Sequence, residues 1–163
     1  MSILYCITFA IWFIYVLFRT AHQRSTNNIP NRFYGSGTYS HNCIHTLCAA
    51  EHTRQGFRHI ICNRPDGEVP GQPSTSAMEA AAREAGMGFT CYAVDASNFP
   101  GDDLAGLGRL FDGEDKVLAY CRTGTRCANL WLMSRDDDAF MAESQRVRSM
   151  GFDVSLAQLH RQR

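Results

Sequence analysis

No excess charge of either sign marks this chain: 16 Lys and Arg stand against 16 Asp and Glu in 163 residues. Without a net field there is no argument for nucleic acid or another polyanion as partner, and small-molecule chemistry is the better expectation. A cysteine framework is missing too, since seven is an odd count and several cysteines sit inside apolar runs, where Cys serves as a small hydrophobe. That usage points to a reducing compartment. Nor is there a convergent metal set. His41, His45, Cys48 and His52 fall near one helical stripe, but spread over about three turns, roughly 16 Å, they cannot meet on one ion. Asp136-Asp137-Asp138 is read as a polar helix N-cap cluster. Neither a metal nor an organic cofactor is expected.

Charge is also absent from Ile3 to Phe18, and no acidic residue occurs before Glu51. The first of these stretches is apolar apart from Thr8, Tyr5, Trp12 and Tyr15. As a helix it would reach roughly 24 Å, against a hydrocarbon core of roughly 30 Å. No basic residue precedes it and no small-x-small cleavage site follows, which argues against a secretory signal. The expectation is a transmembrane helix within residues 1–22, single-pass in the plasma (inner) membrane. Arg19, His22, Arg24 and Arg32 follow it, so the domain beyond would be cytoplasmic by the positive-inside rule. Other readings of the same residues are an interfacial or packing segment, or a segment not made in the cell, leaving a soluble cytoplasmic domain. Residues 23–31 read as a polar linker, and 32–163 as one domain, a size and 45 % hydrophobic content that allow a real core.

The domain is organised around Tyr120-Cys121-Arg122-Thr123-Gly124-Thr125-Arg126, which follows Val117-Leu118-Ala119 and runs on into Cys127-Ala128-Asn129-Leu130-Trp131-Leu132-Met133. The pattern is strand, tight loop, helix. Such a loop aims unpaired N–H groups at one point, and the helix dipole adds about half a positive charge there. Arg122, Thr123, Gly124, Thr125, Arg126 and Cys127 would form an anion cradle with Cys121 at its floor. The N–H groups, the dipole and the Arg126 guanidinium all favour thiolate, which makes Cys121 the candidate nucleophile. Gly124 is expected to supply the positive φ that so short a loop needs.

Strands and helices alternate through the rest. Phe33 to Gly37 reads as a first strand, residues 42–55 as a helix stopped by Gly56, and Phe57 to Cys62 as a buried strand. Ser74 to Ala85 is a helix with Met78, Ala81, Ala82 and Ala85 inward, Gly88 to Val94 a strand, and Asp102-Asp103 caps a helix to Phe111. Helices over 139–150 and 155–160 complete the chain. Alternation of this kind gives a three-layer α/β domain, a mostly parallel sheet with helices on both faces. Ligands in open α/β sheets bind beyond the carboxyl ends of strands. The turn Asn63-Arg64-Pro65-Asp66-Gly67-Glu68 should therefore face the cradle, with Arg64 adding positive potential and Asp66 or Glu68 managing protons.

Cys121-Arg122-Thr123-Gly124-Thr125-Arg126 resembles the active-site loop of rhodanese-type sulfurtransferases and, more loosely, the Cys-(X)5-Arg signature of protein tyrosine and dual-specificity phosphatases. A wider set, Gly56 to Glu68, Pro70-Gly71-Gln72-Pro73, Ala119-Tyr120-Cys121 and Trp131, resembles the phosphatase-like domain of beta-lactamase-hydrolase-like proteins over about residues 30 to 160. That resemblance implies a protein-tyrosine-phosphatase-like fold and either sulfurtransferase or phosphatase chemistry. It also places Asp95 approximately where dual-specificity phosphatases carry a general-acid Asp, with a turn-capping role as the alternative. Two departures stand out. Only four residues separate Cys121 from Arg126, so the donor ring is smaller and suits a single sulfur atom better than a phosphoryl group. Cys127 occupies a position where those families usually have Ser or Thr, so the help of that hydroxyl should be weakened or lost. The expectation placed first is a sulfurtransferase, serving sulfide detoxification, in which a Cys121 persulfide passes sulfur from a small-molecule donor to a thiol or cyanide acceptor. Its alternative is a phosphatase acting on a phosphoester through a Cys121 phosphocysteine, with Asp95 as acid. A third is an idle anion or redox sensor in which Cys62 and Cys91 serve as resolving thiols.

Overall fold

The computed structural model describes residues 32–35 and 52–162. The expected membrane segment, the linker and most of the helix expected over 42–55 lie outside the described residues, as do His41, His45 and Cys48; His52–Arg54 is helical. Among the described residues no helix is long and apolar enough to cross a membrane. The strands are β1 (Arg32–Gly35), β2 (Phe57–Cys62), β3 (Gly88–Cys91) and β4 (Lys116–Cys121). The helices are α1 (Thr75–Glu84), α2 (Leu104–Phe111), α3 (Thr125–Met133), α4 (Asp137–Ser149) and α5 (Ser155–Arg161).

The sheet runs β1-β4-β2-β3 and every pairing is parallel. β4 is central and buried throughout after Lys116, and the strand period of two divides its side chains between two cores. Val117, Ala119 and Cys121 join one cluster, Leu118 and Tyr120 the other. β2 divides likewise, with Ile61 in the first cluster and Ile60 and Cys62 in the second. Phe57 breaks parity yet packs with Ile60 and Cys62. A register shift between Phe57 and His59 explains it, because one extra residue returns the side chain to the same face.

Helical residues line both clusters. Met78 and Ala82 of α1 cover the Leu118 face, while Leu107 and Phe111 of α2, Leu130 to Leu132 of α3, and Phe140 and Val147 of α4 cover the Cys121 face. Side chains cap three helices as the sequence suggests: Ser74 accepts from the Ala77 N–H, Asp103 from Gly106 and Asp136 from Ala139. β3 ends at Cys91, three residues short of the strand expected to Val94. Beyond it the loop after β2 takes over the backbone: the Tyr92 N–H donates to the Cys62 carbonyl at 2.8 Å, and the Asn63 side-chain amide donates to the Tyr92 carbonyl at 3.0 Å.

The path of the chain sets the site. It leaves β2 for β3 through α1 on one face, then returns past β2 to β4 through α2 on the other. The loops after β2 and β4 thus diverge at adjacent strand ends, the switch point where open α/β sheets form a crevice. One buried side chain braces the helix that leaves β4. Asn129, with no exposure, donates to the Thr125 carbonyl at 2.8 Å and the Asp153 carbonyl at 2.7 Å, and its Oδ1 accepts from the Ala157 N–H at 2.9 Å. Asn129→Ala leaves the part-buried Asp153 carbonyl and the buried Ala157 N–H without this partner. A loss of about 2–4 kcal/mol in unfolding free energy is expected from urea titration, and a loss below about 1 kcal/mol would show that the bracing is unimportant.

Candidate active site

β4 delivers Cys121 to the end of the sheet, residues 122–124 form the loop, and α3 starts at Thr125. Gly124 is the α3 N-cap at φ 85°, the left-handed conformation that glycine adopts without a side-chain penalty. From there its N–H donates to Cys121 Sγ at 3.1 Å. Cys121 has no exposed surface, yet its thiol is brought down to about 5. The largest cause is the hydrogen bond from the Cys127 thiol; burial opposes it, and loop N–H groups and the charge of Arg126 assist.

Cys127 is the residue that the sequence places where a Ser or Thr hydroxyl was expected. It is fully buried, and burial first, then the adjoining Cys121, push its own thiol well above the ordinary cysteine value. It stays protonated and donates. An S–H is a weaker donor than the hydroxyl of Ser or Thr.

Only part of the expected cradle lines one open concavity. Glu68, Asp95, Ala96, Arg122, Thr123 and Arg126 line a concavity above the loop, so the loops after β2, β3 and β4 do converge. Thr125 turns its N–H toward Thr123 Oγ1 at 3.4 Å, and the two hydroxyls lie 3.1 Å apart. Arg126 donates to the Val94 carbonyl at 2.7 Å and the Asn63 carbonyl at 3.4 Å, and its Nη2 is hydrogen-bonded to Glu68 Oε1. Glu68 Oε2 accepts from Arg64 Nε at 2.7 Å.

Arg64, expected to face an anion, is 7 % exposed, is tied to Glu68 and is not among the residues lining the concavity. Asp66 is also engaged elsewhere: its Oδ1 accepts from the N–H and hydroxyl of Thr75 at 2.7 and 2.9 Å, at the start of α1. The sequence placed Glu68 near the cradle but gave no sign that it bridges two arginines.

Asp95 does line the concavity, but as a turn residue. Its Oδ1 accepts from the Ser97 hydroxyl at 2.6 Å and the Ser97 N–H at 2.7 Å. The hydroxyl bond first, then the backbone bond, hold its carboxyl below the usual range. A carboxylate kept ionised is a poor general acid at neutral pH. Cys62 and Cys91 are register partners in β2 and β3. Cys62 belongs to the core on the face opposite Cys121, and both are free thiols.

The thiolate absorbs near the far-ultraviolet edge, so a difference titration between wild type and Cys121→Ser reports its ionisation directly. Thiolate forms as pH rises; the curve should be half complete near pH 5 and flat at neutral pH. Cys127→Ala removes the largest stabilising donor and should move the midpoint up by about one unit or more, with Cys127→Ser moving it less. An unmoved midpoint in Cys127→Ala would rule out the thiol donor.

The family model for the phosphatase-like domain of beta-lactamase hydrolase-like protein matches residues 40–137. Beta-lactamase hydrolase-like protein of Xylella fastidiosa (strain Temecula1) is 36% identical over 109 residues, covering 64% of this chain and 25% of the relative. Its counterpart in Agrobacterium fabrum (strain C58) is 33% identical over 107 residues, with 63% and 25% covered. The alignments thus take in about a quarter of these curated relatives. A crystal structure of a candidate phosphatase from Neisseria meningitidis is similar at 32% identity and TM-score 0.54, over 67% of this chain and 80% of that one. Fold, motif blocks and relatives agree, and the chain belongs to the family of beta-lactamase hydrolase-like protein phosphatase-like domains.

Proposed function

We propose that the domain is a cysteine-dependent hydrolase of phosphoesters, with Cys121 as nucleophile. The observation that carries the reading is the fully buried Cys121 sulfur, which accepts from the Gly124 N–H at the N-terminus of α3 and whose thiol is favoured in its ionised form. Membership of a phosphatase-like family and likeness to a candidate phosphatase support phosphorus as the centre attacked. The Cys121 sulfur bonds to phosphorus as the bond to the leaving oxygen breaks. Water then displaces the sulfur, yielding phosphate and regenerating the thiolate. Arg126 and the loop N–H groups would hold the phosphoryl oxygens as charge moves onto them.

Asp95 limits this chemistry. Held ionised by Ser97, it offers no proton to a poor leaving group, so aryl esters should be cleaved far better than alkyl esters. The four-residue spacing and the same Asp95 geometry favour a second reading, sulfur transfer. There Cys121 attacks the outer sulfur of thiosulfate, sulfite departs, and the persulfide sulfur passes to cyanide or a thiol; no acid is needed. The apolar stretch over residues 3–18 supports a tether holding the domain at the cytoplasmic face of a membrane.

The test takes the full chain, wild type and Cys121→Ser, with an aryl phosphate followed optically and, separately, with thiosulfate followed by intact mass. Phosphate release by wild type alone is expected, and Asp95→Asn should cost less than about tenfold, since general acids act mainly on poor leaving groups. Gain of one sulfur atom on wild type only, reversed by cyanide and without phosphate release, would replace the first reading with the second.

A further inference from the structure

Arg126, the cation expected to grip an anionic substrate, already carries an anion. Glu68 Oε1 is hydrogen-bonded to Arg126 Nη2 and Glu68 Oε2 lies 2.7 Å from Arg64 Nε, so one carboxylate bridges two guanidinium groups at the mouth of the Cys121 loop. The Arg64 side chain is buried at 8 % exposure, Arg126 is partly buried at 15 %, and Glu68 is the most open of the three at 25 %, so the Arg64 end of the bridge is the better shielded from water. The four charged residues that line the concavity cancel, Arg122 and Arg126 against Glu68 and Asp95, and Cys121, not itself in the lining, is buried at the foot of the same loop with its thiol brought down to about 5. An incoming oxyanion meets arginine charge that Glu68 has partly spent, and a negative sulfur it must approach. Each further negative charge on the ligand therefore adds repulsion from Glu68, Asp95 and Cys121 that the arginines no longer offset.

We propose that Glu68 is the specificity-determining residue of the Cys121 site. By bridging Arg64 and Arg126 it sets the site to accept a tetrahedral oxyanion bearing one negative charge in preference to one bearing two. The substrate class is then a phosphodiester, or a monoester in its singly protonated form, and a doubly charged phosphomonoester is disfavoured. The proposal rests on the reading that Cys121 attacks an anion held by its loop. It narrows which anion.

Two probes of matched shape separate charge from geometry: sulfate with two charges and methanesulfonate with one. Each is titrated into the isotopically labelled full chain while the backbone amide resonances of residues 122–126 are followed. Wild type should bind methanesulfonate about tenfold more tightly than sulfate, and Glu68→Gln, which keeps the shape but loses the charge, should shrink that ratio by about tenfold through tighter sulfate binding. Sulfate binding more tightly to wild type overturns the proposal, and that comparison needs no variant. Equal weakening of both anions by Glu68→Gln also overturns it, since that is the mark of a residue that only steadies Arg126. Turnover supplies the independent arm: the ratio of kcat/KM for bis(nitrophenyl) phosphate to that for nitrophenyl phosphate should fall in Glu68→Gln. Selective anion binding without turnover of either ester would sink the hydrolase reading and leave the charge preference standing. Turnover with no charge preference would do the reverse.

Discussion

A negative sulfur atom with no contact with water is the constraint on which this domain turns. Burial by itself drives a thiol toward its neutral form, so fixed dipoles must outweigh it, and they must be in place before any substrate arrives. Here they come from a span of seven residues: the Gly124 N–H, further N–H groups of the loop and the Cys127 thiol. Each is aimed by the passage from β4 into α3, and that passage depends on one left-handed glycine.

The sheet supplies the rest by topology. Because the chain changes direction between β2 and β4, the loops that follow them open over the same crevice, and Glu68 comes to lie on Arg126 although 58 positions separate them. The alternation of side chains along β4 has a second effect. Cys121 and Tyr120 are neighbours in sequence but belong to different cores, so the buried cysteines among the described residues are divided by the sheet. Cys127 shares the nucleophile's side and Cys62 the other.

Much of this was legible in the amino-acid order because its causes are local. The apolar run before Cys121, the glycine that closes the loop and the Ser74, Asp103 and Asp136 caps are each fixed by neighbours within a few residues, and the structure has them where the pattern puts them. What escaped was set by distant partners or by solvent exclusion. Glu68 is only four positions from Arg64, but nothing near either shows that the same carboxylate also reaches Arg126, 58 positions on from Glu68. Nothing near Cys127 shows that its thiol ends fully buried next to the Cys121 sulfur. Asp95 is an intermediate case: Ser97 was visible two positions on, and the choice between acid and turn residue depended on whether its hydroxyl would close the hydrogen bond, which it does.

Asn129 joins these scales. It lies one turn into the helix whose first residues shape the anion loop, and through it the Thr125 carbonyl, the Asp153 carbonyl and the Ala157 N–H share one amide group. The final helix and the first turn of the helix that follows Cys121 are thus fastened to one buried amide. The floor of the anion loop therefore has its foundation in the last dozen residues of the chain, well away from the mouth of the site.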